Sequence, residues 1–185
     1  MKQILSMLTL LLLASSFTLV NYPDSYITDA SQVKGKHTIF TEIVINASPQ
    51  VVRAKFLEFQ KWGEWNSMIP EIALKTGNLD SIETKPTLDL TLDFSRKNDP
   101  APAPVFPEVY ANNKQVFEWG FHKWYLHANH PHLFESLDNG TKTRFINYEV
   151  MGGLFKSLIM TKKTKANMTE HFIKMNKDFK KFCEQ

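Results

Sequence analysis

Residues 41–69 read TEIVINASPQVVRAKFLEFQKWGEWNSMI. An apolar strand with Ile43 and Ile45 on one face runs into Asn46-Ala47-Ser48-Pro49 and turns there into a short helix. Ser48 suits the N-cap, where its hydroxyl accepts from an otherwise orphaned backbone N–H. Pro49 suits the first helical position, where no N–H is needed. Val52, Phe56 and Phe59 recur at helical spacing and give this helix one apolar face. A second short helix or turn is expected around Trp62 to Met68, through Trp62-Gly63-Glu64-Trp65-Asn66.

Upstream, residues 37–46 form the first strand, and residues 21–36, polar and carrying Pro23 and Gly35, read as a linker. Before them Lys2 precedes an uncharged run from Ile4 to Val20. A basic start ahead of an apolar core is the pattern of a secretory signal, and Ala14-Ser15-Ser16 offers small residues for cleavage. The run also reaches the lower edge of a bilayer-spanning length, so residues 1–20 are expected to be a signal peptide or an N-terminal membrane anchor. Either places the domain outside the cytoplasm, secreted or periplasmic. Cys183 is the only cysteine, which rules out an internal disulfide. Asn46, Asn139 and Asn167 each open an Asn-x-Ser/Thr glycosylation pattern, which matters only in a eukaryotic host.

Downstream, residues 87–95 alternate: Leu88, Leu90, Leu92 and Phe94 on one face, Asp89, Thr91 and Asp93 on the other. The proline-dense stretch 98–104 is expected to be a loop, since such a stretch cannot stay inside a sheet. Two strands follow at 107–110 and 115–122, joined through Asn112-Asn113, and then a strand over 124–137 broken or bulged at Pro131. Asp138-Asn139-Gly140 signals a tight hairpin, because these residues tolerate positive φ. A last strand spans 141–150, Gly152-Gly153 ends the sheet, and apolar positions at helical period predict one long helix over 154–182. A curved antiparallel sheet with that helix across its open face is the economical packing of these parts, an α+β fold in one domain over 37–185.

The opening segment, with four further blocks, resembles the START-like, helix-grip superfamily, in its SRPBCC polyketide cyclase/dehydrase and lipid-transport branch. The blocks are Trp65-Asn66; Pro107-Glu108-Val109 with Phe117-Glu118-Trp119-Gly120; His132-Leu133-Phe134-Glu135; and Gly140 to Glu149 with Gly152-Gly153-Leu154. The resemblance implies a cavity for an apolar molecule between sheet and terminal helix, and Trp65, Leu90, Leu92, Phe94, Trp119, Phe134, Phe145 and Phe172 are the residues expected to line it. Two departures stand out: Asn147 sits where the pattern most often has histidine, and the proline-rich insertion precedes Pro107.

Composition narrows the function. A hydrophobic fraction of 43% and a charged fraction of 22% are globular values, and a formal charge of +3 gives no electrostatic footprint for nucleic acid. His122, His127, His130 and His132 cluster, but no cysteine or acidic pair completes a metal motif, so neither metal nor cofactor is expected. His130 and His132 share a strand face only if Pro131 leaves the alternation intact. Acid/base candidates within a cavity are His132 and Glu149, with Arg144 and Tyr148 behind them; Arg144 and Glu149 must point to opposite faces of their strand. Eight lysines between Lys156 and Lys181 make the last helix basic, a face for solvent or for anionic headgroups, and the N-terminal segment offers a second membrane contact.

The expected function is binding or transport of a small hydrophobic molecule (a lipid, quinone or polyketide-like compound) by a monomer. The alternative is a cyclase/dehydrase-type enzyme using the same cavity. A third is a protein-interaction module with a filled core.

Overall fold

The computed structural model describes residues 26–35, 37–93 and 102–185. β1 (Thr38–Ile45) leads into α1 (Pro49–Phe56), with Ser48 as N-cap accepting from Val51 N–H, and then into α2 (Trp62–Trp65). Phe59 leaves the helical face and opens a 3-10 turn between them. The remaining strands are β2 (Glu71–Thr76), β3 (Thr87–Leu92), β4 (Ala103–Val105), β5 (Glu108–Asn112), β6 (Val116–Lys123), β7 (Leu126–Leu137) and β8 (Lys142–Gly152). Two helices close the chain: α3 (Lys156–Ile159) and α4 (Lys162–Cys183).

The sheet runs β1-β8-β7-β6-β5-β3-β2, antiparallel throughout, with β4 added beside β3. Its concave face takes α1 and α4, which is the helix-grip arrangement. Phe56 of α1 is the hub of the buried aromatic core. Its ring meets those of Trp62, Phe134, Phe145 and Phe179 at centroid distances of 5.0, 5.5, 5.8 and 5.5 Å. Pairs at such spacing add about 0.5–1.5 kcal/mol each beyond burial itself.

Four expectations are corrected. The proline-rich stretch is not loop throughout: Ala103–Val105 pairs with β3, Leu90 opposite Val105 and Leu92 opposite Ala103. Pro104 is tolerated there because β4 is a short strand at the sheet's margin. β7 is neither broken nor bulged at Pro131. Asn129 faces Val150 and His132 faces Asn147 in one unshifted register, and on the other side Pro131 keeps its place opposite Glu118.

The terminal helix is shorter than predicted. Met160 is non-helical, and Thr161 caps a new helix by accepting from Thr164 N–H at 3.1 Å, so the single helix over 154–182 becomes α3 and α4. Periodicity reads through such a step because the apolar spacing resumes after it. Finally, the stretch expected as linker is attached to the fold from Tyr26 on. Tyr26 and Ile27 cover a second apolar cluster (Val116, Leu133, Ile146 and Tyr148 among it) on the convex face of the sheet. The Tyr26 hydroxyl donates to Glu118 at 3.0 Å, and Ile27 N–H donates to the Tyr148 hydroxyl at 3.1 Å. Phe94 and the leader at 1–20 lie outside the described residues.

Candidate functional site

A cavity of about 400 Å³ lies between the sheet and α4, beside the Phe56 hub, with which it shares Trp119. The strands supply Leu90 and Leu92 from β3, Val105 from β4, Trp119 and Phe121 from β6, and Leu126, Ala128 and His130 from β7. Glu149 comes from β8, Met168 and Phe172 from α4. Met68 and Ile69 complete the wall. They are held by Asn66, whose buried Oδ1 accepts from both of their N–H groups at 3.1 and 2.9 Å. That bond is the physical content of the Trp65-Asn66 signature: the asparagine turns the chain so that two apolar side chains face the cavity.

Leu90, Leu92, Trp119 and Phe172 therefore line the cavity. Trp65, Phe134 and Phe145 do not. They belong to the closed aromatic core, Trp65 against Phe179 and Phe134 against Phe145. Burial periodicity marks core and cavity wall alike, so it could not divide the two groups.

The histidines are the residues that sequence reasoning placed least well. Because Pro131 leaves the strand regular, His130 and His132 share the concave face, their rings 4.3 Å apart. His132 is fully buried among Phe56, Trp119 and Phe145 and does not reach the cavity. Its Nδ1 faces the Phe117 carbonyl at 3.2 Å, and its Nε2 has no hydrogen-bond partner among the described residues. His130 is the one that lines the cavity. Its ring stacks flat on Phe172 at 4.8 Å.

A buried hydrogen-bond chain orients His130. Asn176 of α4 donates to Thr41 Oγ1 at 3.1 Å, and Thr41 donates to the Asn147 carbonyl at 2.9 Å. The Asn147 amide donates to Asn176 Oδ1 at 3.1 Å, which leaves Asn147 Oδ1 as the acceptor facing His130 Nε2 at 2.7 Å. Nε2 thus carries the proton, and the Nδ1 lone pair is turned toward Glu149, whose Oε2 lies 3.9 Å away. This is beyond direct hydrogen-bond reach. Asn147, the departure from the family pattern, ties helix to sheet and sets the tautomer of its neighbour.

Burial fixes the charge states. His130 is pushed down to about 4, against a smaller opposing contribution from Asn147, and His132 lies well below its ordinary value for the same reason. Burial also raises the Glu149 carboxyl to about 7. Near neutrality the cavity thus holds a carboxyl that keeps its proton readily and an imidazole that stays neutral: one donor and one acceptor in an apolar wall. Arg144 lies on the opposite face, as alternation required, and pairs there with Glu42 at 2.5 Å and Glu135 at 3.1 Å. Tyr148 faces the convex side, under Ile27. Among the described residues no group of three or more His, Cys, Asp or Glu could hold a metal ion.

No protein-family model and no curated protein matches the chain. Solved structures do. A START superfamily protein from Mycobacterium smegmatis superposes with a TM-score of 0.56 at 15% identity, over 79% of this chain and 99% of that one. An aromatase/cyclase from Streptomyces sp. R1128 gives 0.60 at 7% identity, over 80% and 93%. A hypothetical protein from Helicobacter pylori gives 0.60 at 13% identity, over 92% and 99%. The protein has a START-like, helix-grip fold.

Proposed function

We propose that the protein binds and carries a small hydrophobic molecule bearing one hydrogen-bonding group, held in the cavity between the sheet and α4. The observation that carries this reading is the composition of the wall: about 400 Å³ of largely apolar lining with, among the described residues, a single inner polar pair, His130 and Glu149. Burying the ligand's apolar surface supplies affinity, at about 25 cal/mol per Å², and the pair orients its polar end. A lipid, a quinone or a polyketide-like compound has this chemistry. The wall itself supplies a reporter, since Trp119 lines it. Titration with each compound class should quench the Trp119 contribution to emission, seen as the difference between the full chain and its Trp119→Phe variant. No saturable change with any class would sink the reading.

One observation favours a second reading, an enzyme of the cyclase/dehydrase type. Glu149 is a carboxyl poised near 7 in an apolar site, which is where a general acid or base works best. Its test is Glu149→Gln: turnover lost with binding retained supports the enzyme, and equal loss of both supports the carrier. A filled interaction module finds less support, because the cavity is of ligand size. The apolar run Ile4–Val20 supports action outside the cytoplasm, and mass measurement of the mature chain from its host tests whether the run is removed.

A further inference from the structure

The cavity-lining residues that are also exposed, Phe106, Phe121, Lys123 and Tyr125, mark its mouth. Beside them two chain segments meet. The turn between β6 and β7 presents Trp124 and Tyr125, and the segment after β8 presents Leu154, Phe155, Leu158 and Ile159. Trp124, Leu154 and Leu158 are 75, 70 and 74% exposed, among the most exposed large apolar side chains described. The two segments form one structure. Phe155 N–H donates to the Tyr125 carbonyl at 3.1 Å, and the Tyr125 ring meets Trp124 at 5.4 Å and Phe155 at 6.1 Å. Gly153 makes the junction possible: its φ is +92°, and a Cβ there would fall 2.7 Å from the Tyr125 carbonyl oxygen.

Within the two segments that build this apolar tip, the charge has one sign. Neither residues 119–134 nor residues 150–169 contain an aspartate or glutamate, while Lys123, Lys156, Lys162, Lys163 and Lys165 lie within them. The far half of α4 differs. Lys174 pairs with Asp178 at 2.5 Å and Lys180 with Glu184 at 3.1 Å, so two of its four lysines are matched internally, Lys177 and Lys181 being the others.

We propose that this end of the molecule, led by Trp124, Leu154, Phe155 and Leu158, docks on an anionic lipid bilayer with the cavity mouth facing the membrane. Exposed aromatic and leucine side chains settle at the headgroup boundary, and surrounding lysines are drawn to anionic lipids. A second copy of the same face is a poor occupant, because it would set five lysines against five. The surface is built from its own residues and is present whether or not the cavity carries a ligand.

The test uses the full chain and phosphatidylcholine vesicles with and without phosphatidylglycerol. Trp124 is the reporter, since Trp62, Trp65 and Trp119 are 0, 7 and 4% exposed. Docking predicts a blue shift of emission on anionic vesicles, quenching by lipids brominated in their acyl chains, and loss of both signals in Trp124→Phe. Replacing Lys156, Lys162 and Lys163 together by glutamate should weaken binding to anionic vesicles by about tenfold or more, with thermal unfolding unchanged. A vesicle-bound chain whose Trp124 emission neither shifts nor is quenched is held elsewhere, for instance by residues 4–20, and overturns the proposal. So does a chain that ignores vesicles, or one that uses this face only to pair with itself or with another protein.

Discussion

Nδ1 of His130 and Oε2 of Glu149 stand 3.9 Å apart on adjacent strands, at the polar spot of an apolar cavity. Burial drives their affinities for protons in opposite directions, the imidazole down to about 4 and the carboxyl up to about 7. Neither group is charged at mildly acid pH, and each keeps a hydrogen-bonding atom free for a guest.

The stability of the protein should carry the signature of Glu149. Below about 4.5, its ordinary value, the carboxyl is neutral in folded and unfolded chains alike. As pH rises from there through about 7 the unfolded chain releases the proton first, and the stability of the neutral buried form is lost. Glu149→Gln, which keeps the neutral shape, should therefore be more stable than the parent at pH 8, by on the order of 3 kcal/mol, and no more stable at pH 4. Urea unfolding at the two pH values checks this. A gain of equal size at both would show that the carboxyl titrates normally.

His130 contributes the opposite arm. Its folded value lies below the ordinary 6.5, so stability falls as pH drops from about 6.5 toward 4, where the unfolded chain takes up a proton that the buried ring refuses. This acid-side loss should persist in Glu149→Gln and shrink in His130→Gln, which cannot charge.

Asn147→Ala should cost roughly 2–4 kcal/mol by chemical denaturation, because it leaves His130 Nε2 and Asn176 Oδ1 without their partner and opens a gap beside Met175. Asn147→His, the residue usual in the family pattern, should not restore the chain, since an imidazole is larger than the amide and holds its donor and acceptor at different positions.

Gly120→Ala should be severe. A Cβ there would meet the Ala128 carbonyl oxygen at 2.1 Å across the β6–β7 pair, and neither backbone can retreat without opening the ladder. A loss of about 2 kcal/mol or more is expected. His132→Phe is the contrasting case, with less than about 1.5 kcal/mol expected, since it gives up only the long Nδ1 contact to the Phe117 carbonyl, Nε2 has no partner to lose and the surroundings are aromatic.

Strand alternation and helix caps made the fold legible. Ser48-Pro49, the Leu88–Leu92 alternation and the positive-φ turn at Asp138-Asn139-Gly140 each encode one local geometry, and the structure has all three. The site was half legible. Leu90, Leu92, Trp119 and Phe172 follow from periodicity, but nothing local separates a wall residue such as Trp119 from a core residue such as Phe145. His130 was hidden by Pro131, whose usual effect on a strand did not apply because flanking pairs hold the register. The role of Tyr26 and Ile27 was hidden for another reason: a short polar-looking segment gives no sign that the sheet's convex face needs a cover.

The most direct test of the central claim is native mass spectrometry of the full chain purified from its own host, beside the Ala128→Phe variant, whose added ring fills the cavity. The account predicts one apolar adduct per chain, carrying a hydroxyl, carbonyl or similar group, which is lost in Ala128→Phe while the fold is kept. A bare mass that persists after exposure to lipids and quinones, or an adduct that Ala128→Phe leaves untouched, would contradict it.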